Sequence, residues 1–97
     1  MFLTDERTGE KTTLEAEDIV IFSSGSHVAF LRPIGHKSRE WKRLLINGKD
    51  SEVYLGLQKN VDFYTFALLV AASHGLKIEK CEDFTGPSID AYRFTRE

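Results

Sequence analysis

The sequence predicts an α+β fold: an antiparallel sheet of about five to seven strands with one long apolar helix packed on it and one short amphipathic helix at its rim, a two-layer sandwich. Three observations carry this reading. The runs 19–22 and 27–31 are apolar, rich in Val, Ile and Phe, and too short for helices. The segment 61–74 is apolar on most of its helical circumference, with only Asp62, Thr65 and Ser73 marking a polar edge. Between and after them, 53–57 and 76–82 show the period-two alternation of strands with one face in a core.

Taken in chain order, Thr8-Gly9 separates two polar segments, and glycine supplies the positive φ of a tight turn. Residues 1–17 therefore read as a polar hairpin or arm. A competing reading uses Thr12 as an N-cap with Glu15 as its capping-box partner, giving one helical turn. The runs 19–22 and 27–31 pair across Ser23-Ser24-Gly25-Ser26. Because neither run alternates, both strands should be covered on two faces or lie at a subunit boundary. Pro33 ends the second strand.

Ser38 reads as the N-cap of a short helix through Ile46, ended by Asn47-Gly48. Trp41, Leu44 and Leu45 then share one side, and Arg39, Lys42 and Arg43 the other. Asn60 reads as the cap of the long helix, and Gly75 followed by Leu76 as its Schellman ending. The final pair of strands, from Leu76 and from Ile89, is joined by Thr85-Gly86-Pro87-Ser88. The apolar positions change parity between Ile78 and Cys81, which calls for a bulge or a strand end near Lys80.

Ninety-seven residues hold one core, so 1–97 is a single domain and a two-domain enzyme is excluded. The hydrophobic share of 41% is too high for a disordered chain. A lone cysteine, Cys81, cannot close an internal disulfide, and the acidic N-terminal residues lack the basic start of an export signal. A cytoplasmic protein is expected. The longest apolar stretch, 66–72, is far below the ~20 residues of a membrane-crossing helix, so no membrane span is expected.

The formal net charge of −2 hides an asymmetry, because 32–49 holds six basic residues against Glu40 alone while both flanks are acidic. Arg32, Lys37, Arg39, Lys42 and Arg43, with His36 among them, are the candidate binding residues. Guanidinium groups match carboxylates or phosphates in a bidentate fork, although a charged helix face is often only solvated. The acidic balance argues against a dedicated nucleic-acid binder. Ser23-Ser24-Gly25-Ser26-His27 offers a hydroxyl beside an imidazole, but phosphate loops and nucleophile elbows lead into helices and a strand follows here. His27, His36, His74 and Cys81 have no chelating spacing, so neither a metal nor a cofactor is implied. Glu79, Glu82, Asp83 and Asp90 read as a protective charged face around the last turn.

The function expected from these features is a small non-catalytic protein-interaction module, homodimeric, using the basic segment against an acidic protein surface. The alternatives are a nucleic-acid-binding regulator using the same segment and a small enzyme at the Ser/Gly loop near His27. The apolar excess of the long helix and of 19–22 and 27–31 is what points to self-association.

Overall fold

Ile19–Ser23 (β3) and His27–Pro33 (β4) form the middle of the sheet, as unbroken apolar runs suit strands that are covered on both faces. The structure is a computed structural model and describes residues 3–23, 27–35, 40–46, 62–82, 84, 86 and 89–97. Among these residues, Leu3–Asp5 (β1), Lys11–Thr12 (β2), Trp41–Ile46 (β5), Leu76–Lys80 (β6) and Ile89–Arg96 (β7) complete a seven-stranded sheet in the order β2-β1-β5-β4-β3-β7-β6. Every pairing is antiparallel. Among the described residues one helix, Phe63–Ser73 (α1), packs on one face, and the fold is α+β.

Ile19 and Val20 are both 0% exposed although successive strand residues point to opposite faces, so β3 is indeed covered on both. On one side Leu3, Val20, Phe30, Leu44 and Phe94 form the main core with Phe66, Ala67, Val70 and Ala71 of α1. On the other, Ile19, Cys81 and Ala91 form a smaller cluster, edged by Ile21, Trp41 and Phe84. The parity change after Ile78 now has a simple cause. β6 ends at Lys80, and the Cys81 N–H still donates to Ala91 O at 3.0 Å, so Leu76 and Ile78 serve the main core while Cys81 turns into the second cluster.

The amphipathic helix expected over 38–46 is overturned where the structure describes it, because Trp41–Ile46 is strand β5. Six residues are too few for spacing to separate a helix from a strand. Pairing decides the matter: Leu44 registers with Phe30 of β4 and with Asp5 of β1, so β5 fills the slot between two strands. A helix in that place would leave the inward edges of β1 and β4 without partners, and unpaired backbone groups are costly when buried. The strand expected at 53–57 and the Asn60 cap lie outside the described residues.

The N-terminal segment is a hairpin built into the sheet, with Leu3 registering with Thr12 and Gly9 at φ +71° in its turn. It is not a detached arm, since Leu3 and Leu14 belong to the main core. Thr12 lies in β2, so it caps no helix.

The helix is shorter than expected, eleven residues from Phe63 to Ser73. Asp62 caps it: its Oδ1 accepts the Thr65 N–H at 2.8 Å and its Oδ2 accepts the Thr65 hydroxyl at 3.0 Å. At the other end Gly75 takes φ +68°, and its N–H donates to Ala72 O at 3.2 Å. The bonds from Thr65 hold the Asp62 carboxyl below the ordinary aspartate value of 3.8. A lowered folded-state pKa adds stability that is present above the unfolded value and is lost as pH falls through the folded one. Asp62→Ala should therefore melt at a lower temperature than the parent near pH 7, and the gap should close on acidification below about pH 3. Thermal melts followed by circular dichroism across that range check this, and a gap independent of pH would remove the cap from the explanation.

Candidate functional site

Register places Arg32 of β4 opposite Lys42 of β5 on the α1 side of the sheet. Both basic residues are answered by carboxylates of this same chain. Arg32 donates from Nε to Asp18 Oδ1 at 2.9 Å and from Nη2 to Asp18 Oδ2 at 3.0 Å, a bidentate fork. It also donates to Thr12 Oγ1 at 2.9 Å and to Thr13 O at 2.7 Å. Asp18 is 1% exposed, and its Oδ2 takes the Glu15 N–H as well, at 2.8 Å. The hydrogen bond to Asp18 raises the Arg32 pKa further, against the effect of burial. Arg32 thus ties the 12–18 connection to β4.

Lys42 meets Asp5 Oδ2 at 3.3 Å. Asp5 in turn accepts the Arg7 and Thr8 N–H groups on Oδ1, at 2.8 and 3.3 Å. These bonds, led by that from Arg7, hold its carboxyl below the ordinary value. Arg32, Lys42, Asp5, Glu10, Lys11 and Thr12 surround a polar pocket of about 120 Å³. Its cations sit among carboxylates from the same chain, so it is not a basic cradle for an anion.

Arg43 is placed differently. It is exposed and, one residue on from Lys42, it points to the opposite face of β5. There it borders a wider groove of about 440 Å³ whose apolar wall is Leu31, Ile34 and Trp41, with Arg7 and Glu6 also at its rim. Ile34 is 43% exposed. Lys37 and Arg39 lie outside the described residues, so of the five candidate binding residues the structure describes Arg32, Lys42 and Arg43. Arg32 and Lys42 share one face and Arg43 lies on the other, with Lys42 and its partner Asp5 also reaching the groove that Arg43 borders.

A second feature carries no charge at all. The sequence of α1 has no ionisable residue except Tyr64, and its outward side presents Tyr64, Leu68 and Leu69, which are 52%, 39% and 50% exposed. Single exposed apolar residues are ordinary, but three on one eleven-residue helix leave much of its outer side uncharged and apolar.

The remaining candidates divide by where they fall. Ser24 to Ser26, His36 and the side chain of His27 lie outside the described residues. His74 closes α1 with Nδ1 2.9 Å from Val70 O. Cys81 is buried. Among the described residues no three His, Cys, Asp or Glu side chains come together in a way that could hold a metal, and no helix is long and apolar enough to cross a membrane.

Neither Asp18 nor Asp5 belongs to the basic segment that the charge pattern marks. For Asp18 a signal did exist: pairing 19–22 with 27–31 so that Ile19 meets Leu31 sets Asp18 opposite Arg32, one step further along the hairpin. For Asp5 there was none, since its tie to Lys42 depends on β5 being a strand beside β1. No family model, curated protein or solved structure matches this chain.

Proposed function

We propose that this chain is a small non-catalytic protein-interaction module of the cytoplasm that self-associates and engages an acidic protein segment through the groove beside Arg43. The observation that supports it most is the composition of that groove. Leu31, Ile34 and Trp41 offer an apolar wall, and Arg43 and Arg7 offer guanidinium forks at its rim. An apolar floor flanked by two guanidinium groups, with Glu6 also at the rim, suits a partner segment that alternates apolar or aromatic residues with Asp or Glu. Trp and Arg are also the residue types that dominate binding energy at protein interfaces. Arg32 and Lys42 contribute by holding the sheet that carries the groove, since their own charges are already met.

Fluorescence anisotropy with a labelled peptide in which glutamates alternate with aromatic residues tests the reading. Binding should weaken at least about tenfold in Arg43→Glu and in Ile34→Asp, because each change places a negative charge against an acidic ligand. Equal binding by both variants would remove the groove from the account. Tighter binding to short duplex DNA, with a steep loss on added salt, would replace it with the nucleic-acid reading.

A further inference from the structure

Among the described strands β6 lies at one end of the sheet, with β7 as its neighbour. Two hydrogen bonds across the neighbouring strands set the direction of its backbone groups. Phe94 donates its N–H to Asp18 O at 2.8 Å, and its O accepts from Glu17 N–H at 2.7 Å, so both Phe94 groups turn toward the β3 side. Ile78 registers with Phe94 and is therefore a non-hydrogen-bonded pair, its own N–H and C=O aimed away from β7. The Cys81 N–H to Ala91 O bond fixes the same alternation from the other end. Leu76, Ile78 and Lys80 thus aim backbone donors and acceptors away from β7, where no other described strand lies.

We infer that two copies of this chain join β6 to β6 in antiparallel fashion about a two-fold axis through Ile78, making one continuous sheet. Charge selects this register over its neighbours. Centred on Ile78, Lys77 of each copy faces Glu79 of the other, twice over, in the positions where cross-strand side chains approach most closely. Centred one residue earlier, Lys77 would face Lys77 of the other copy; one residue later, Glu79 would face its own counterpart. Both of those place like charges together. Ile78 exchanges two backbone bonds across the axis, and Leu76 with Lys80 exchange the rest.

The same operation accounts for the helix. α1 packs on β6 and β7, the last two strands of the sheet, and a two-fold axis normal to the sheet keeps both helices on one side. The two helices then lie next to each other above the joined edges, where the uncharged surface of Tyr64, Leu68 and Leu69 can be covered. The edge supplies orientation and the helices supply apolar area.

This inference rests on the self-association in the proposed function, and the test separates the two. Sedimentation equilibrium of the unaltered chain should give a dimer. Lys77→Glu alone, and Glu79→Lys alone, each place like charges across the axis and should raise the dimer dissociation constant about tenfold. Mixing the two variants should restore it, because in the mixed dimer every introduced charge faces its opposite. Lys80→Pro removes an outward N–H from each copy at an exposed position and should also weaken the dimer, with circular dichroism confirming that the fold persists. A monomer at all concentrations would overturn self-association and the edge pairing together. A dimer indifferent to the β6 variants and to their mixing would overturn the edge pairing and leave self-association standing.

Discussion

Arg32→Met should cost about 3–5 kcal/mol, the range for removing one partner of a buried ion pair. The loss is large because of what stays behind. The Asp18 carboxylate is 1% exposed and would keep only the Glu15 N–H, while Thr12 Oγ1 loses its guanidinium donor and Thr13 O is left with the Thr12 hydroxyl at 3.3 Å. Folded domains of this kind hold only about 5–15 kcal/mol in total, so the variant sits close to the edge of folding. Replacing both partners, Arg32→Met with Asp18→Leu, should recover part of the loss, since no charge is then buried alone. Urea denaturation of the parent, the two single variants and the double variant measures the coupling. Additive losses would show that the pair is not the unit it looks to be.

Phe94→Ala should be of similar size, about 3–5 kcal/mol, by loss of transfer energy and by the cavity that remains. Phe94 is 0% exposed and stands where the core is least able to close in, stacked on Phe30 with ring centroids 6.4 Å apart and lying on β7 between β3 and β6. Strands held on both sides cannot move inward to fill a gap without breaking ladders. Phe94→Leu keeps most of the volume and should cost much less. Leu69→Ala, on the outer side of α1 and 50% exposed, should change stability by under about 0.5 kcal/mol at concentrations low enough for the chain to be monomeric. Guanidinium melts of these three variants rank them. A Leu69→Ala loss that grows with protein concentration would show that the outer side of the helix is covered in the assembled protein.

These two expected losses come from residues that local sequence patterns treat differently. Phe94 follows from alternation in the last strand, where Tyr92 and Phe94 share a face, and the structure sets both toward α1. Arg32 looked like part of a basic patch, and the structure makes it an internal tie. The difference is one of range. Alternation is a property of neighbouring residues, whereas the fate of a guanidinium depends on which carboxylate the register brings opposite it, fourteen positions earlier in the chain.

The sequence by itself determined the α+β class, the two central strands, and the apolar helix with its glycine ending, while at Gly9 it left a hairpin and a capped helical turn both open. Each of these rests on composition or spacing within a few residues, where backbone preference and hydrophobic periodicity act directly. Only the tertiary structure decided that Trp41–Ile46 is a strand, that Asp62 opens the helix, and that the basic residues divide between Asp18, Asp5 and an open groove. For 41–46 the local signal was balanced between two periods, and the slot between β1 and β4 broke the tie. The charges followed, because a strand sends Lys42 and Arg43 to opposite faces where a helix would have kept them together.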